Sequence, residues 1–230
     1  METKTNVVLV HGAWADGSSW SKVIPILEQR GFYVTAVQIA LTSLDDDIAV
    51  TRNVLAMQTR PTILVGHSYG GAVISGAATN APNVRALVYI AGWGLDEGES
   101  VDGLSRRGPA PPGAAAVRPD DYGLLWIERA GFAQAFAADL DPAESRVLAV
   151  TQRPLSIRAF TAPSPAPAWK RLPSWYLVSA NDKMIPPEAE EAMAKKMGAT
   201  IRHVSASHVS LLSHPKEVVD IIIAAESATC

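Results

Sequence analysis

The sequence predicts an α/β protein built on a doubly wound, mostly parallel six-stranded sheet with a small helical insertion, and three observations carry that prediction. Short apolar runs near residues 6–11, 33–38, 62–66, 85–92, 174–180 and 200–204 alternate with stretches of helical periodicity, the pattern of strands joined by crossover helices. The 230 residues are 48% hydrophobic, enough for one substantial buried core. One of the apolar runs, Thr62-Ile-Leu-Val-Gly66, passes through His67-Ser68-Tyr69-Gly70-Gly71 directly into a helical pattern.

In chain order, Val7-Val-Leu-Val10 is a fully apolar strand that ends at His11-Gly12-Ala13-Trp14. Trp20, Val23, Ile24 and Leu27 then form the i, i+3, i+4, i+7 stripe of a first helix, a core stripe that Gly31 terminates. After the second strand, Leu44, Ile48, Thr51 and Leu55 outline a helix whose first turn carries Asp45, Asp46 and Asp47. That acidic run suits the positive end of a helix better than a metal. Pro61 precedes the third strand, and the small residues Ala72, Val73, Ser75, Gly76, Ala77 and Ala78 let the following helix lie close on the sheet. The fourth strand ends near Trp93.

Between residues 94 and 172 the rhythm breaks, and nine of the sixteen prolines fall there. Residues 106–113 and 162–167 are expected to be extended loops, with helices over Tyr122–Ala138 and Pro142–Gln152. The expected organisation is a core of residues 1–93 and 173–230 with residues 94–172 as a lid over the strand ends. Ser174 to Ala180 is the fifth strand, Pro186-Pro187 opens a helix that Gly198 closes, and Thr200-Ile-Arg-His-Val204 leads to Ser205-Ala-Ser-His208 and a final apolar helix.

Composition narrows the function. A net charge of −3 gives no basic excess for nucleic acid. The single cysteine, Cys230, cannot form an internal disulfide and suits a reducing compartment. Met-Glu-Thr-Lys-Thr5 leads straight into a strand without a signal-peptide pattern, and no apolar run reaches transmembrane length. A cytoplasmic monomer or homodimer with no membrane or nucleic-acid partner is expected. No cofactor is implied and no metal cluster is visible: Gly92-Trp93-Gly94 lacks the third glycine and the opening helix of a dinucleotide site.

The chemistry centres on Ser68. A serine between strand and helix in Gly-x-Ser-x-Gly occupies a nucleophile elbow, a sharp turn that lifts the hydroxyl above the sheet. Its partners follow in the usual order, acid then base. Asp182 ends the fifth strand, and His208 lies on the loop after the sixth, at the same edge. Of the other histidines, His11 is expected to brace its loop and His67 to point away from Ser68. His203 lies within a strand and His214 before Pro215 at a helix start. Asp96, after the fourth strand, is the alternative acid, with Asp182 preferred. The oxyanion donors are expected to be the N–H groups of Tyr69 and Ala13.

Val-Leu-Val-His11-Gly12-Ala13-Trp14, Gly66-His67-Ser68-Tyr69-Gly70-Gly71, the Asp182 segment and Ser207-His208 with Ser213-His214-Pro215 resemble the α/β-hydrolase superfamily. The most similar branch holds small serine esterases, among them plant methyl salicylate and methyl jasmonate esterases, hydroxynitrile lyases and bacterial esterases. The resemblance spans nearly the whole chain and is poor between residues 94 and 172. It implies the superfamily sheet without its first hairpin, and hydrolysis of small to medium, apolar or aryl esters through an acyl-enzyme. Trp14, Trp93, Trp126, Phe132 and Phe136 are expected to line the substrate pocket. A hydroxynitrile lyase is the first alternative, but the lyases similar to the plant esterases place a lysine directly after the catalytic histidine, where this chain has Val209, and some place a polar residue where it has Gly12. A cofactor-free haloperoxidase or perhydrolase, and a non-enzymatic ligand receptor of the same fold, are further alternatives.

Overall fold

The computed structural model describes residues 5–230; of the N-terminal leader read above, residues 1–4 lie outside the described residues. The elements run β1 (Asn6–Val10), α1 (Ile24–Gln29), β2 (Tyr33–Val37), α2 (Leu44–Ala56), β3 (Thr62–His67), α3 (Tyr69–Ala77) and β4 (Val84–Ile90). The segment 94–172 contributes α4 (Val101–Ser105), β5 (Val117–Pro119), β6 (Leu124–Ile127), α5 (Arg129–Phe136), α6 (Pro142–Thr151), β7 (Leu155–Ser156) and α7 (Ile157–Thr161). The chain closes with β8 (Ser174–Ser179), α8 (Pro187–Lys196), β9 (Thr200–Val204), α9 (Ser210–Ser213) and α10 (Pro215–Thr229).

The central sheet has the order β2-β1-β3-β4-β8-β9, and every pairing in it is parallel. All described residues of β1, β3 and β8 are buried, whereas the edge strands β2 and β9 are partly exposed, as expected of a sheet covered on both faces. The helix α10 packs on β3, β4 and β8 and touches α1; α2 packs on α3, which lies over β1, β3 and β4. From β1 the chain steps outward to β2 and then returns to the other side of β1 as β3. The strand order therefore reverses between β1 and β3, and the crevice beyond their carboxyl ends is where open α/β sheets bind ligands.

Two expectations need correction. The stripe from Trp20 to Leu27 is a 3₁₀ turn (Gly17–Trp20) followed by the short α1, because Pro25 sits in the first turn of α1 and starts it late. The stripe is still core: Trp20, Val23 and Leu27 are wholly buried. Residues 122–127 are a turn followed by the strand β6 (Leu124–Ile127), not helix. Asp120 Oδ1 accepts the N–H groups of Tyr122 and Leu124 across a turn in which Gly123 has φ +76°, and β6 then pairs antiparallel with β5 and β7. Leu125 and Ile127 face inward and Trp126 outward, a period of two that the flanking helical pattern obscures.

Candidate active site

Ser68 sits where β3 becomes α3, with φ +52° and ψ −122°, a conformation that a non-glycine residue adopts only when its surroundings enforce it. The enforcement is visible. The Ser68 N–H donates to Ile90 O at 3.1 Å, and its carbonyl accepts from Gly71 and Trp93 N–H at 2.9 and 3.0 Å. The glycines permit the close approach: a Cβ on Gly70 would meet Val10 O at 2.5 Å, and one on Gly66 would meet Gly70 O at 2.5 Å.

His208 and Asp182 meet this serine. His208 Nε2 lies 2.9 Å from Ser68 Oγ, and Nδ1 lies 2.5 Å from Asp182 Oδ2. Asp182 Oδ1 accepts the Met184 and Ile185 N–H groups at 2.6 and 3.0 Å. A carboxylate that already holds two backbone donors presents its other oxygen as an acceptor, so His208 carries its proton on Nδ1 and offers Nε2 to the serine hydroxyl. Both partners are buried, which strengthens the pair electrostatically.

Each remaining histidine has another occupation. His67 is buried, and its Nε2–H donates to the His208 carbonyl at 2.8 Å; burial, then the neighbouring His208, hold its pKa well below the usual range. It is a neutral brace for the His208 loop. Burial brings His11 down to about 4, and its ring links Gly12 O (2.8 Å) to the Ile39 N–H (3.2 Å). His203 is exposed beside Glu191, and His214 caps α10 next to Ser213. Asp96 is tied to Lys170 at 2.5 Å, and that ion pair lowers its pKa.

Tyr69 is the first residue of α3, so its N–H has no acceptor within the helix. The loop after β1 passes directly over the serine: a Cβ on Gly12 would lie 2.7 Å from Ser68 Cβ. Ala13 follows on that loop and is buried. The Tyr69 hydroxyl donates to Asp47 Oδ2 at 2.9 Å, while Asp47 Oδ1 accepts from the Ala40 and Leu41 N–H groups. Asp47 thus does more than start a helix; it is fully buried and anchors Tyr69, the residue after Ser68.

Ser68 and His208 open into a cavity of about 520 Å³ that Trp14, Trp93, Leu125, Phe160 and Met184 help to line. Trp14 has φ +58° and its Nε1–H donates to Leu125 O at 2.8 Å, joining the β1 loop to β6. Phe136 packs edge-on to Trp14 (6.1 Å between centroids) and against the His208 ring (5.1 Å), and Phe132 packs on Phe136 at 5.1 Å. Trp126 is placed elsewhere: it is partly exposed, and its Nε1–H donates to Asp120 Oδ2 at 2.9 Å. Leu125, Phe160 and Met184 carried no distinguishing signal in the sequence. Neither did Asp139, whose carboxylate accepts both the N–H (2.9 Å) and the hydroxyl (2.5 Å) of Ser207 and so fastens the His208 loop to the 94–172 segment. An adjoining cavity of about 600 Å³ shares Trp93, Pro111 and Met184 with the first and continues along Ala189 and Met193 of α8. Among the described residues no group of histidine, cysteine or carboxylate side chains is arranged to hold a metal ion, and no helix is long and apolar enough to cross a membrane.

The model of the alpha/beta hydrolase family matches residues 7–221. The chain belongs to that family. It is an enzyme of this class, and its relatives include named hydrolases and esterases. A pyrethroid hydrolase of Sphingobium wenxiniae is 26% identical over 96% of this chain and 87% of its own length. A carbendazim hydrolyzing esterase of Nocardioides is 34% identical over 59% of this chain and 61% of its own length. In three dimensions, the crystal structure of a pyrethroid hydrolase from Sphingobium faniae superposes with a TM-score of 0.84 at 24% identity, covering 98% of both chains, which establishes the shared fold.

Proposed function

We propose that the protein is a carboxylic ester hydrolase that works through an acyl-enzyme on Ser68. The observation that carries this reading is the relay from Ser68 Oγ to His208 Nε2 at 2.9 Å and from His208 Nδ1 to Asp182 Oδ2 at 2.5 Å, at the mouth of a largely apolar cavity. In the reaction, Nε2 takes the hydroxyl proton as Oγ attacks the ester carbonyl carbon. The oxygen that becomes negative is held by the Tyr69 and Ala13 N–H groups. Collapse of the tetrahedral adduct breaks the bond to the alkoxy oxygen, which leaves as the alcohol with the proton from Nε2. Water then attacks the acyl-enzyme with His208 as base, and the acid departs. Asp182 stays ionised throughout and stabilises the imidazolium.

The cavity volumes favour a bulky apolar ester. About 520 Å³ beside Ser68 accommodates one substantial apolar group, and the adjoining space of about 600 Å³ gives the other half of the substrate a second apolar wall. Residues 94–172 act as the lid of this site, contributing Leu125 and Phe160 to its wall. The exposed single cysteine, Cys230, suits a cytoplasmic setting.

The test is turnover of p-nitrophenyl esters of rising acyl length, with mandelonitrile cleavage measured alongside, for wild type and Ser68→Ala. Hydrolysis without cyanide release is expected, falling by roughly 10⁴–10⁶ in the variant. A variant that keeps a tenth of the activity moves the chemistry off Ser68, and serine-dependent cyanide release replaces the esterase by a lyase.

A further inference from the structure

Behind the triad lies a second buried carboxyl group that the mechanism above does not use. Glu190 projects from α8 and is fully buried. Its Oε2 accepts the Ser179 N–H at 3.1 Å, and no donor among the described residues reaches Oε1. Its hydrogen-bonding neighbour on the other side is the Asp182 carboxyl group.

Two carboxyl groups sharing a buried site do not both ionise. The donor count decides which keeps the proton. Asp182 receives three N–H donors, from Met184, Ile185 and His208, whereas Glu190 receives one. Negative charge therefore settles on Asp182, and the proton goes to Glu190, where it also removes the orphaned oxygen by turning it into a donor. Burial, then the Asp182 charge, push the Glu190 pKa well above the carboxylate range, in agreement with the count. The other titratable group facing Glu190 is Tyr176 on β8, whose hydroxyl donates to Gly92 O at 2.6 Å; His203 on β9 is turned outward to Glu191.

We infer that Glu190 is a positioning residue of the triad: as the neutral acid it donates its O–H to Asp182 and fixes the orientation that Asp182 imposes on His208. The inference rests on the esterase reading, because it gives Asp182 the role of orienting a catalytic base. It does not add a charge to the relay. A neutral donor behind Asp182 spreads the aspartate charge, so the His208 imidazolium is stabilised less than by an isolated Asp182.

The experiment compares Glu190→Gln and Glu190→Leu with wild type by kcat, KM, the pH profile of kcat/KM and infrared difference spectroscopy. Glutamine restores both functions, accepting from Ser179 and donating to Asp182, so E190Q is expected to stay within about threefold of wild-type kcat and to leave the acid limb of kcat/KM within about 0.3 pH unit. Leucine provides neither; E190L is expected to lose roughly 10–100-fold in kcat with KM little changed, and its acid limb is expected to move upward. At neutral pH, wild type is expected to show the C=O stretch of a protonated carboxylic acid that E190Q lacks. If the acid limb of E190Q falls by about one unit or more, Glu190 is ionised in the native protein and the inference is overturned. It is equally overturned if a folded E190L keeps wild-type kcat and pH profile, or if the infrared band is missing. Should E190L not fold, the E190Q profile and the band decide alone. Failure of the esterase reading itself is separate: ester turnover would then be absent or survive Ser68→Ala, while the band would still report the protonation of Glu190.

Discussion

Asp182→Asn tests the orientation of the relay most directly, because the surroundings of Asp182 dictate which way an asparagine must lie. Oδ1 accepts two backbone N–H groups, Met184 at 2.6 Å and Ile185 at 3.0 Å. Placing an amide NH₂ there would set donor against donor twice in a buried site, so the asparagine carbonyl oxygen takes the Oδ1 position and the NH₂ faces His208 Nδ1. Nδ1 then has to accept, the ring proton moves to Nε2, and Nε2–H points at Ser68 Oγ, 2.9 Å away, unable to take its proton. The wrong tautomer is thus enforced, and turnover is expected to fall on the order of 10³–10⁴, about 4–5.5 kcal/mol of activation free energy. Asp96→Asn is the comparison. Asp96 is engaged with Lys170 near the surface, and its replacement is expected to change turnover by less than about tenfold. The assay is kcat on a p-nitrophenyl ester above pH 7, with thermal unfolding of each variant as a check on folding. A folded Asp182→Asn enzyme within tenfold of wild type, or a larger loss in Asp96→Asn, would refute the assignment of the acid.

Two further predictions concern the substrate space and acid stability. Ala189→Trp, which fills the adjoining cavity along α8, is expected to lower kcat/KM for a p-nitrophenyl decanoate about tenfold or more, or about 1.4 kcal/mol, while p-nitrophenyl acetate changes less than about twofold; equal losses on both esters would remove the adjoining cavity from the substrate path. His11 has a folded pKa of about 4, below its unfolded value of about 6.5, so the unfolded chain binds the proton first as pH falls. The stability that neutral His11 contributes is complete above about pH 6.5 and declines by about 3 kcal/mol in total by pH 4. Urea unfolding from pH 7 to 4.5 is expected to show a steeper loss in wild type than in His11→Asn, and identical slopes would contradict the neutral, buried assignment.

The sheet was legible because its signal is local. Each core strand is a short aliphatic run, and the strain at Ser68 is announced by Gly66, which sits against Gly70 and Gly71 backbone, and by Gly70, which sits against Val10 and His11 backbone. That Asp182 and His208 would come together was legible for a related reason: both lie just past a strand's carboxyl end, and a parallel sheet brings all such ends to one edge. What the sequence did not disclose depends on contacts made at long range. Trp126 and Leu125 are adjacent and both apolar, yet one faces solvent and the other the cavity, since pairing of Leu125 with Pro119 and Leu155, and of Trp126 with Arg118, sets their parity. Asp47 reads as one of three equivalent aspartates and is distinguished only by reaching Tyr69, 22 positions on.

The same long-range contacts tie the segment of residues 94–172 to the base of the proposed mechanism as well as to the cavity beside Ser68. Asp139 holds Ser207 and Phe136 backs the His208 ring, both from the insertion, while Trp14 on the β1 loop is fixed by Leu125 O. His67 completes the clamp from the core by donating to the His208 carbonyl. The histidine is therefore held from three sides by groups that do not touch the reacting atoms, and only its Nε2 edge is left toward Ser68 and the cavity. In the proposed mechanism a base so restrained would lose little entropy on taking the serine proton, which is where preorganised sites gain over flexible ones. Gly12 belongs to the same arrangement. Any side chain there would press on Ser68 Cβ at 2.7 Å, so the polar residue that some lyases carry at this position has no room in this backbone, and the space above Ser68 is left open for the ester carbonyl of the proposed reaction.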